Sequence, residues 1–222
     1  MQKKNNFWIY ALLGLIISIS NFNCQKTDSL ILKNGDLLFQ DLDSSPLCDA
    51  IEKVTSGFEN LNFSHIGIVT IIEDKIYVLE AFTNGVDTID LKLFLNRSLN
   101  TENKPKVIVG RLHNNYTHII PKAIEEGISL IGKDYDEEFK INNNKFYCSE
   151  LIYDIFFEAN NQKPFFDLNP MTYKHDGETL DIWIKYFEEL NIPIPENEPG
   201  INPGGISLSK KIDIIHNYTD AK

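Results

Sequence analysis

Short apolar blocks separated by turn residues make up much of the first half of the chain. Blocks of this kind, bounded by Asn-Gly pairs or by acidic pairs, are typical of β-strands joined by tight turns. The Glu73-Asp74 pair lies between two of them, which are predicted to form an antiparallel hairpin. The predicted strands are Gly35 to Phe39, His65 to Ile72, Lys75 to Ala81, Val86 to Asp90 and Val107 to Arg111.

Apolar residues in the second half recur every three or four positions, which is the period of an amphipathic helix. One such run is expected to stop at Gly132, because glycine favours the left-handed conformation that ends helices. A loop rich in proline and glycine, from Pro193 to Gly205, precedes one last strand. The pattern thus predicts an α+β domain, with helices from Pro46, Ile119, Cys148 and Ile182 and a final strand from Ile212 to Tyr218.

The amino terminus has a different pattern. Lys3 and Lys4 precede an uncharged run from Phe7 to Phe22, which is shorter than the roughly 20 residues that a membrane-spanning helix needs and is typical of an export signal. Cys24 then resembles the lipidated first residue of a bacterial lipoprotein, although the residues before it are larger than that pattern prefers. Cleavage nearby, which would leave a soluble exported protein, is the alternative.

Length and charge limit the possible organisation and partners. A chain of 222 residues with 42% hydrophobic content is long enough for one domain with a sizeable core. We predict a signal over residues 1–23 and a single domain over 24–222. The net charge of −11 makes nucleic acid an improbable partner. An acidic surface is also repelled by anionic lipids, so membrane attachment is expected only through a lipid on Cys24.

The cysteines support neither a zinc site nor a cofactor. The chain has three, Cys24, Cys48 and Cys148, and none stands in a Cys-x-x-Cys or comparable ligand spacing. We therefore predict no metal and no cofactor. A disulfide between Cys48 and Cys148 is possible on parity, whereas a small buried cysteine in a helix is the simpler interpretation of Cys48.

Three residues are candidates for nucleophilic chemistry. Cys148 is predicted in the first turn of a helix, where the macrodipole favours a thiolate, and a histidine could accept its proton. Pairing around the Glu73-Asp74 turn places positions whose numbers sum to about 147 opposite each other, so His65 lies within one pairing step of Glu80. Glu80 would orient His65, whose second ring nitrogen would then face Cys148, as in a catalytic triad.

Five segments in order resemble a known family. They are Asn34 to Phe39, Ser64 to Val69, Val78 to Ala81, Gly132 to Asp136 and Phe146 to Leu151. Together they are similar to the YiiX/YebB-like hydrolases, which are circularly permuted relatives of the NlpC-type papain-fold peptidases. The resemblance covers about Leu32 to Ala159 and implies a permuted papain-like fold, with an antiparallel sheet packed against helices. Permutation places the histidine before the cysteine, as it is here.

The resemblance also implies roles. Cys148 would be the nucleophile, His65 the general base and then acid, and Glu80 the residue that orients His65. Amides near Cys148 and Ser149, with Tyr135 as a further donor, would stabilise the oxyanion. Asp36 would bind a substrate amine or brace the site, unless it is only a turn residue.

The expected function is that of an exported cysteine amidase or peptidase. Its substrates would be cell-envelope peptides or small amino-acid amides. Two alternatives stay open: a thioesterase, acyltransferase or phospholipase-like enzyme acting on lipids, and a non-catalytic module that binds the envelope.

Simpler interpretations exist for each candidate residue. Cys148 would by default be a small core residue, His65 a core histidine, and Glu80 a charge that keeps sheet edges from associating. The aromatic positions Trp183, Tyr186 and Phe187 are expected to pack in the core, with a role in a substrate groove as the alternative. Glu150 raises an unanswered question, because a carboxylate so close to Cys148 would oppose thiolate formation.

Overall fold

The computed structural model describes residues 30–220. The predicted export signal, the lipidation of Cys24 and the domain boundary at residue 24 lie outside the described residues. Residues 31–220 belong to one compact unit. No helix within residues 30–220 combines the length and the apolar character that crossing a membrane requires.

The chain forms strands first and most of its helices later. The strands are β1 (Leu37–Gln40), β2 (His65–Ile72), β3 (Lys75–Phe82), β4 (Gly85–Asp90), β5 (Val107–Leu112), four two-residue strands β6 (Asn169–Pro170), β7 (Lys174–His175), β8 (Glu178–Thr179) and β9 (Pro199–Gly200), and β10 (Ile212–Asn217). The helices are α1 (Pro46–Val54), α2 (Leu91–Leu95), α3 (Ile120–Ser129), α4 (Cys148–Ala159), α5 (Asp181–Glu189) and α6 (Pro203–Ser207), with 3-10 turns at Phe58–Asn60 and Asn114–Ile119.

Six strands form one sheet in the order β10-β5-β1-β2-β3-β4, and all the neighbouring pairs are antiparallel. The predicted hairpin has the predicted register, since Ile68 pairs with Leu79 and Ile72 with Lys75. Strand β1 connects the hairpin to β5 and places Gln40 opposite His65. His65 therefore begins a central strand of the sheet.

The helix that begins at Cys148 packs directly on the hairpin, since α4 contacts both β2 and β3. Its residues Leu151, Ile152 and Ile155 are fully buried in one core cluster with Ile66 and Ile68 of β2. Burial of five such aliphatic side chains stabilises the fold by roughly 1.5–3 kcal/mol each. This packing fixes the start of α4 against the start of β2.

The sequence pattern missed several short elements. Helix α2 has only five residues, and its start is marked by Asp90, whose carboxylate accepts a hydrogen bond from the amide of Lys92. Helix α6 and strand β9 lie partly inside the segment that was predicted to be a loop. Elements this short do not show a helical or strand period, so hydrophobic patterning cannot reveal them.

Candidate active site

Cys148 is the first residue of α4 and is only 6% exposed. The preceding residue, Tyr147, is extended and buried, and its ring lies 5.6 Å from that of Phe139. The Cys148 sulfur lies 4.0 Å from the carbonyl oxygen of Ser64, the neighbour of His65. The backbone N–H groups at a helix start have no partner within the helix, so the thiol lies beside free amide donors.

The loop before α4 is closed by Asp136, which is fully buried. Its two carboxylate oxygens accept hydrogen bonds from the amides of Glu138 and Lys140, at 3.0 and 2.7 Å. A bridge between Tyr135 and Phe146 joins the two ends of this loop. Tyr135 is thereby brought next to the residues that lead into Cys148.

His65 and Glu80 meet as the register predicts. Their side chains are buried, and Nε2 of His65 lies 2.7 Å from Oε2 of Glu80. Extending the pairing of β2 with β3 by one residue puts Gly67 opposite Glu80, so the contact crosses the ladder diagonally. A Cβ atom at Gly67 would clash with the Val78 side chain and would lie 3.5 Å from Cβ of Glu80. The absence of a side chain at Gly67 leaves room for the contact between His65 and Glu80.

Arg97 completes the group and was not identified from the sequence. It follows α2 and contacts both oxygens of Glu80 through its two terminal nitrogens. Its guanidinium lies 4.2 Å from the centre of the Phe82 ring, and Phe82 and Phe94 both contact the imidazole of His65. The one sequence signal was that a buried Glu80 needs a positive partner, and nothing in the pattern selected Arg97 among the 21 basic residues.

The electrostatics of the group favour a proton on the imidazole. Burial alone would lower the pKa of His65, but hydrogen bonds with Cys148 and Glu80, and their negative charge, raise it to about 9. Burial opposes the charge on Glu80, yet His65 and Arg97 hold the pKa of that carboxyl below its usual value. Since Nε2 faces Glu80, Nδ1 is the ring nitrogen left for Cys148. The arrangement favours a protonated imidazole in this group.

Glu150 lies in the first turn of α4 and is also buried. Its carboxyl group reaches back to the amide of Tyr147 at 3.4 Å and to that of Asn142 at 3.3 Å. Burial, followed by the nearby charge of Asp136, raises its pKa to about 8. Glu150 is therefore mostly uncharged at neutral pH. This answers the question raised by the sequence, because a neutral carboxyl group does not oppose a thiolate.

The other predicted site residues differ in their placement. Tyr135 and Ser149 line the cavity that contains Cys148. The Ser149 hydroxyl donates to the carbonyl oxygen of Ile201 at 2.9 Å, so its side chain is engaged and only its amide is available. Burial and the nearby charge of Cys148 raise the pKa of Tyr135, which keeps its phenol protonated.

Asp36 lies at the far end of the β1–β2 pair from His65, next to Val69. Its carboxylate is 1% exposed and is held by Arg111 through two hydrogen bonds of 2.7 Å. A carboxylate that is buried and already paired in this way is not placed to meet a substrate amine, and its position favours the bracing alternative. Asp36 braces the sheet instead.

A cavity of about 120 Å³ adjoins Cys148. Its wall opposite α1 comes from the carboxy-terminal part of the chain. The amide of Ile201 donates to the Tyr147 hydroxyl at 3.2 Å, and the Ile201 carbonyl accepts from Ser149. These two bonds attach the wall to both neighbours of Cys148. The lining residues are Ile51, Val54, Thr55, Ser64, Tyr135, Phe139, Tyr147, Cys148, Ser149, Pro170, Met171, Thr172, Tyr173, Trp183, Ile201, Asn202 and Pro203.

The aromatic residues of α5 divide between core and cavity. Phe187 is 1% exposed and packs in the core, as predicted. Trp183 is 2% exposed and also lines the cavity, so it fits both interpretations. Tyr186 donates its hydroxyl hydrogen to the carbonyl of Glu137 and is not part of the lining.

Neither a disulfide nor a metal cluster occurs within residues 30–220. Cys48 and Cys148 are both free thiols, and the Cys48 sulfur contacts the hydroxyls of Ser44 and Ser45 at 3.5 and 3.6 Å. No group of three or more His, Cys, Asp or Glu side chains in the described part of the chain could hold a metal ion.

Comparisons with known proteins identify the family of this chain. A family model described as "Permuted papain-like amidase enzyme, YaeF/YiiX, C92 family" matches residues 31–215. The uncharacterized protein YiiX of Escherichia coli K12 is 27% identical over 149 residues, which are 67% of this chain and 66%, or slightly less than two thirds, of that protein. The crystal structure of the metalloprotein yiiX from Escherichia coli O157:H7 has a TM-score of 0.68 and 22% identity, and the match covers 83% of this chain and 97% of that one.

These matches confirm the predicted resemblance and the permuted papain-like α+β fold. They also correct its extent. The family match continues to residue 215, well beyond Ala159, where the resemblance was expected to end. The added part includes Tyr173, Trp183 and Ile201, which line the cavity beside Cys148.

Proposed function

This chain belongs to the permuted papain-like amidase family of YaeF and YiiX, and on that basis we propose that it hydrolyses amide bonds through a triad of Cys148, His65 and Glu80. The observation that carries the proposal is the buried chain of contacts from Arg97 through Glu80 to His65, together with the thiol at the start of α4, which lies beside the carbonyl of Ser64, the neighbour of His65. This is the arrangement that activates a cysteine nucleophile.

In the first half of the reaction, the Cys148 thiolate attacks the carbonyl carbon of the amide and forms a C–S bond. The negative charge moves to the carbonyl oxygen, which the amides at the start of α4 and the Tyr135 hydroxyl would stabilise. His65 then donates its proton to the leaving nitrogen as the C–N bond breaks. The product amine leaves, and a thioester remains on Cys148.

In the second half, His65 takes a proton from water, and the hydroxide attacks the thioester carbonyl. The C–S bond breaks, the acid product leaves, and the proton on His65 restores the ion pair with the Cys148 thiolate. Glu80 keeps Nε2 of the imidazole engaged throughout, and Arg97 holds Glu80 charged. Arg97 is thus a positioning residue.

Apart from Cys148, no lining residue of the cavity is a charged side chain, and this also supports a second candidate reaction, the hydrolysis or transfer of an acyl chain from a lipid. The same residues would form the thioester, and an ester oxygen would replace the leaving nitrogen. Turnover of detergent-solubilised lipid esters with no turnover of peptide amides would favour this reaction.

We also propose that the protein is exported and tethered through Cys24, with cell-envelope peptides or amino-acid amides as substrates. The sequence of residues 1–24 supports this proposal. Mass spectrometry of the amino terminus of protein from native membranes tests it. An unmodified terminus would contradict the lipid anchor.

The test of the mechanism is the pH dependence of Cys148 alkylation by iodoacetamide, followed by peptide mass spectrometry. We expect fast alkylation that persists below neutral pH in the wild-type protein and is lost in His65→Ala. Cys48 in the same samples serves as an internal reference, because it is also buried and its sulfur forms hydrogen bonds with the hydroxyls of Ser44 and Ser45. Turnover of a panel of aminoacyl p-nitroanilides should vanish in Cys148→Ala. Alkylation of Cys148 that is insensitive to His65 would overturn the mechanism and favour a binding module.

A further inference from the structure

Two residues of the cavity that contains Cys148 each carry a buried polar atom that has no hydrogen-bond partner. Within residues 30–220, the buried side-chain atoms without a partner are the Tyr173 hydroxyl, Nε1 of Trp183 and Oε1 of Gln40. Tyr173 and Trp183 are 3% and 2% exposed, and both line the cavity that contains Cys148. Gln40 does not line it. Buried polar groups are nearly always paired, so two such donors in one cavity call for an explanation.

The polar atoms of the neighbouring aromatic residues do have hydrogen-bond partners. The Tyr186 hydroxyl donates to Glu137, and the Tyr147 hydroxyl accepts the amide of Ile201. Both residues belong to the same aromatic group as Tyr173 and Trp183. The packing therefore satisfies the hydroxyl groups of Tyr186 and Tyr147 and leaves the polar atoms of Tyr173 and Trp183 without a partner.

The two donors are also held in place. The rings of Tyr173 and Trp183 lie 4.9 Å apart at 82°, and both pack on Phe187. The amide of Tyr173 donates to the carboxylate of Glu196 at 2.9 Å, which fixes the backbone of this segment. Groups that are rigid before binding lose little entropy when a ligand arrives.

The lining limits what these donors can bind. Apart from Cys148 and three tyrosines, no lining residue is ionisable, and most of the others are apolar. An anionic acceptor would enter without a cation to pair with, in a protein of net charge −11. The volume of about 120 Å³ is close to that of an engineered cavity that holds one benzene ring. A neutral apolar group the size of one amino-acid side chain fits these constraints.

We propose that Tyr173 and Trp183 are specificity residues, which donate their hydroxyl and indole hydrogens to one uncharged carbonyl oxygen on an apolar substrate group in this cavity. The inference rests on the proposed function only in placing this group next to the bond that Cys148 attacks. It narrows the substrate class to neutral, apolar acyl or aminoacyl groups at this position. Burial raises the pKa of Tyr173, which keeps the phenol a donor.

The test measures binding in Cys148→Ala protein, which has no nucleophile. The probes are acetophenone, which carries a neutral carbonyl on a ring, ethylbenzene, which lacks an acceptor, and benzoate, which is charged. The readout is the ¹H–¹⁵N signal of the Trp183 indole, identified by its loss in Trp183→Phe. We expect acetophenone to shift this signal and to bind about 10-fold more tightly than either of the other probes.

Two variants test whether the preference for acetophenone comes from the Tyr173 hydroxyl or from its ring. Tyr173→Phe should remove most of the preference for acetophenone over ethylbenzene, whereas the matched variant Tyr186→Phe should leave it unchanged. Equal affinity for the three probes, no shift of the indole signal, or equal behaviour of the two variants would overturn the inference. The probe comparison uses a single protein and does not depend on how the variants fold.

This result is independent of the catalytic test. Alkylation of Cys148 can depend on His65 while the probes fail to discriminate, which would leave the proposed function and remove the specificity site. The reverse outcome would leave a selective binding cavity without the triad.

Discussion

Two buried glutamates lie close to Cys148 and behave in opposite ways. Glu80, on β3, is 3% exposed and has a lowered pKa, because His65 and Arg97 offset its burial. Glu150, in the first turn of α4, is equally buried and has a pKa raised to about 8, because burial and the charge of Asp136 outweigh the two backbone amides that lower it. Burial is the same in both places, and the positive partners decide which carboxyl group carries a charge.

Because they differ in charge, the two glutamates have different roles at the site. The charged glutamate faces the imidazole, where negative charge stabilises a proton on His65. The neutral one lies on the helix that presents the thiol, where negative charge would be harmful. A substitution that changes charge without changing shape should therefore have unequal effects at the two positions.

The largest expected effect is that of Glu80→Gln. The amide can still contact His65, but it cannot stabilise the imidazolium, and a triad with this change loses much of its activity. We expect kcat/KM for an amide substrate to fall by about 10³-fold. The control is Asp87→Asn, since Asp87 is the exposed partner of Glu80 on β4, and it should keep full activity. A loss of less than a few-fold in Glu80→Gln would contradict the triad.

Arg97→Gln should have the next largest effect. It removes the cation that keeps Glu80 charged and that Glu150 lacks. Breaking a buried ion pair costs about 3 kcal/mol of unfolding free energy. Activity should fall as well, since a less acidic Glu80 holds its charge less firmly. Urea unfolding and kcat/KM measure the two effects.

The matched control for Arg97 is Arg111→Gln, which breaks the pair with buried Asp36. It should destabilise the protein by a similar amount and leave the kcat/KM of the folded protein unchanged. Equal losses of activity in the two variants would mean that Arg97 acts through stability alone.

The smallest effect at neutral pH is expected for Glu150→Gln, since glutamine resembles the neutral carboxyl group. The pH dependence should change instead. A folded pKa of about 8 against an ordinary value near 4.3 when unfolded means that the folded state binds more protons between these values. The contribution of Glu150 to stability is then fully present below about pH 4.3 and is lost as the pH rises towards 8.

Urea unfolding of the wild-type protein and of Glu150→Gln at pH 5 and pH 8 measures this contribution. The variant should lose less stability across the interval than the wild type. His65, with its raised pKa, adds a loss of stability as the pH rises through about 9, and Glu52, whose pKa burial raises to about 7, adds another. His65 and Glu52 are present in the wild type and in the variant. The difference between the two proteins therefore isolates the contribution of Glu150 to stability. A parallel pH dependence would show that Glu150 is charged in the folded protein.

Local pattern predicted the parts of the site that depend on local structure. The Glu73-Asp74 turn fixed the register of the hairpin, and the register brought His65 to Glu80. The helical period after Cys148 placed the thiol at a helix start. In each case a short stretch of sequence determines the geometry.

The parts that were missed come from distant segments without a period. Arg97 follows a helix of five residues, and Tyr173 lies in a segment whose strands have two residues each. Their positions depend on tertiary contacts, such as the bonds that join Ile201 to Tyr147 and Ser149. The substrate-binding role was proposed for Asp36 because its turn was recognised from the sequence, whereas its partner Arg111 was not.

The order of the site residues along the chain also bears on how the site assembles. The His65–Glu80 contact closes a loop of 15 residues, whereas the contact of Ser64 with Cys148 closes one of 84. By loop-closure entropy alone the longer closure costs about 1.5 kcal/mol more, and long-range contacts of this kind form late in folding. We therefore expect the hairpin that carries the base to form before the thiol reaches it. In that order of events a chain that is still folding carries a cysteine that has not met its base, and its reactivity would appear only after this long-range contact forms.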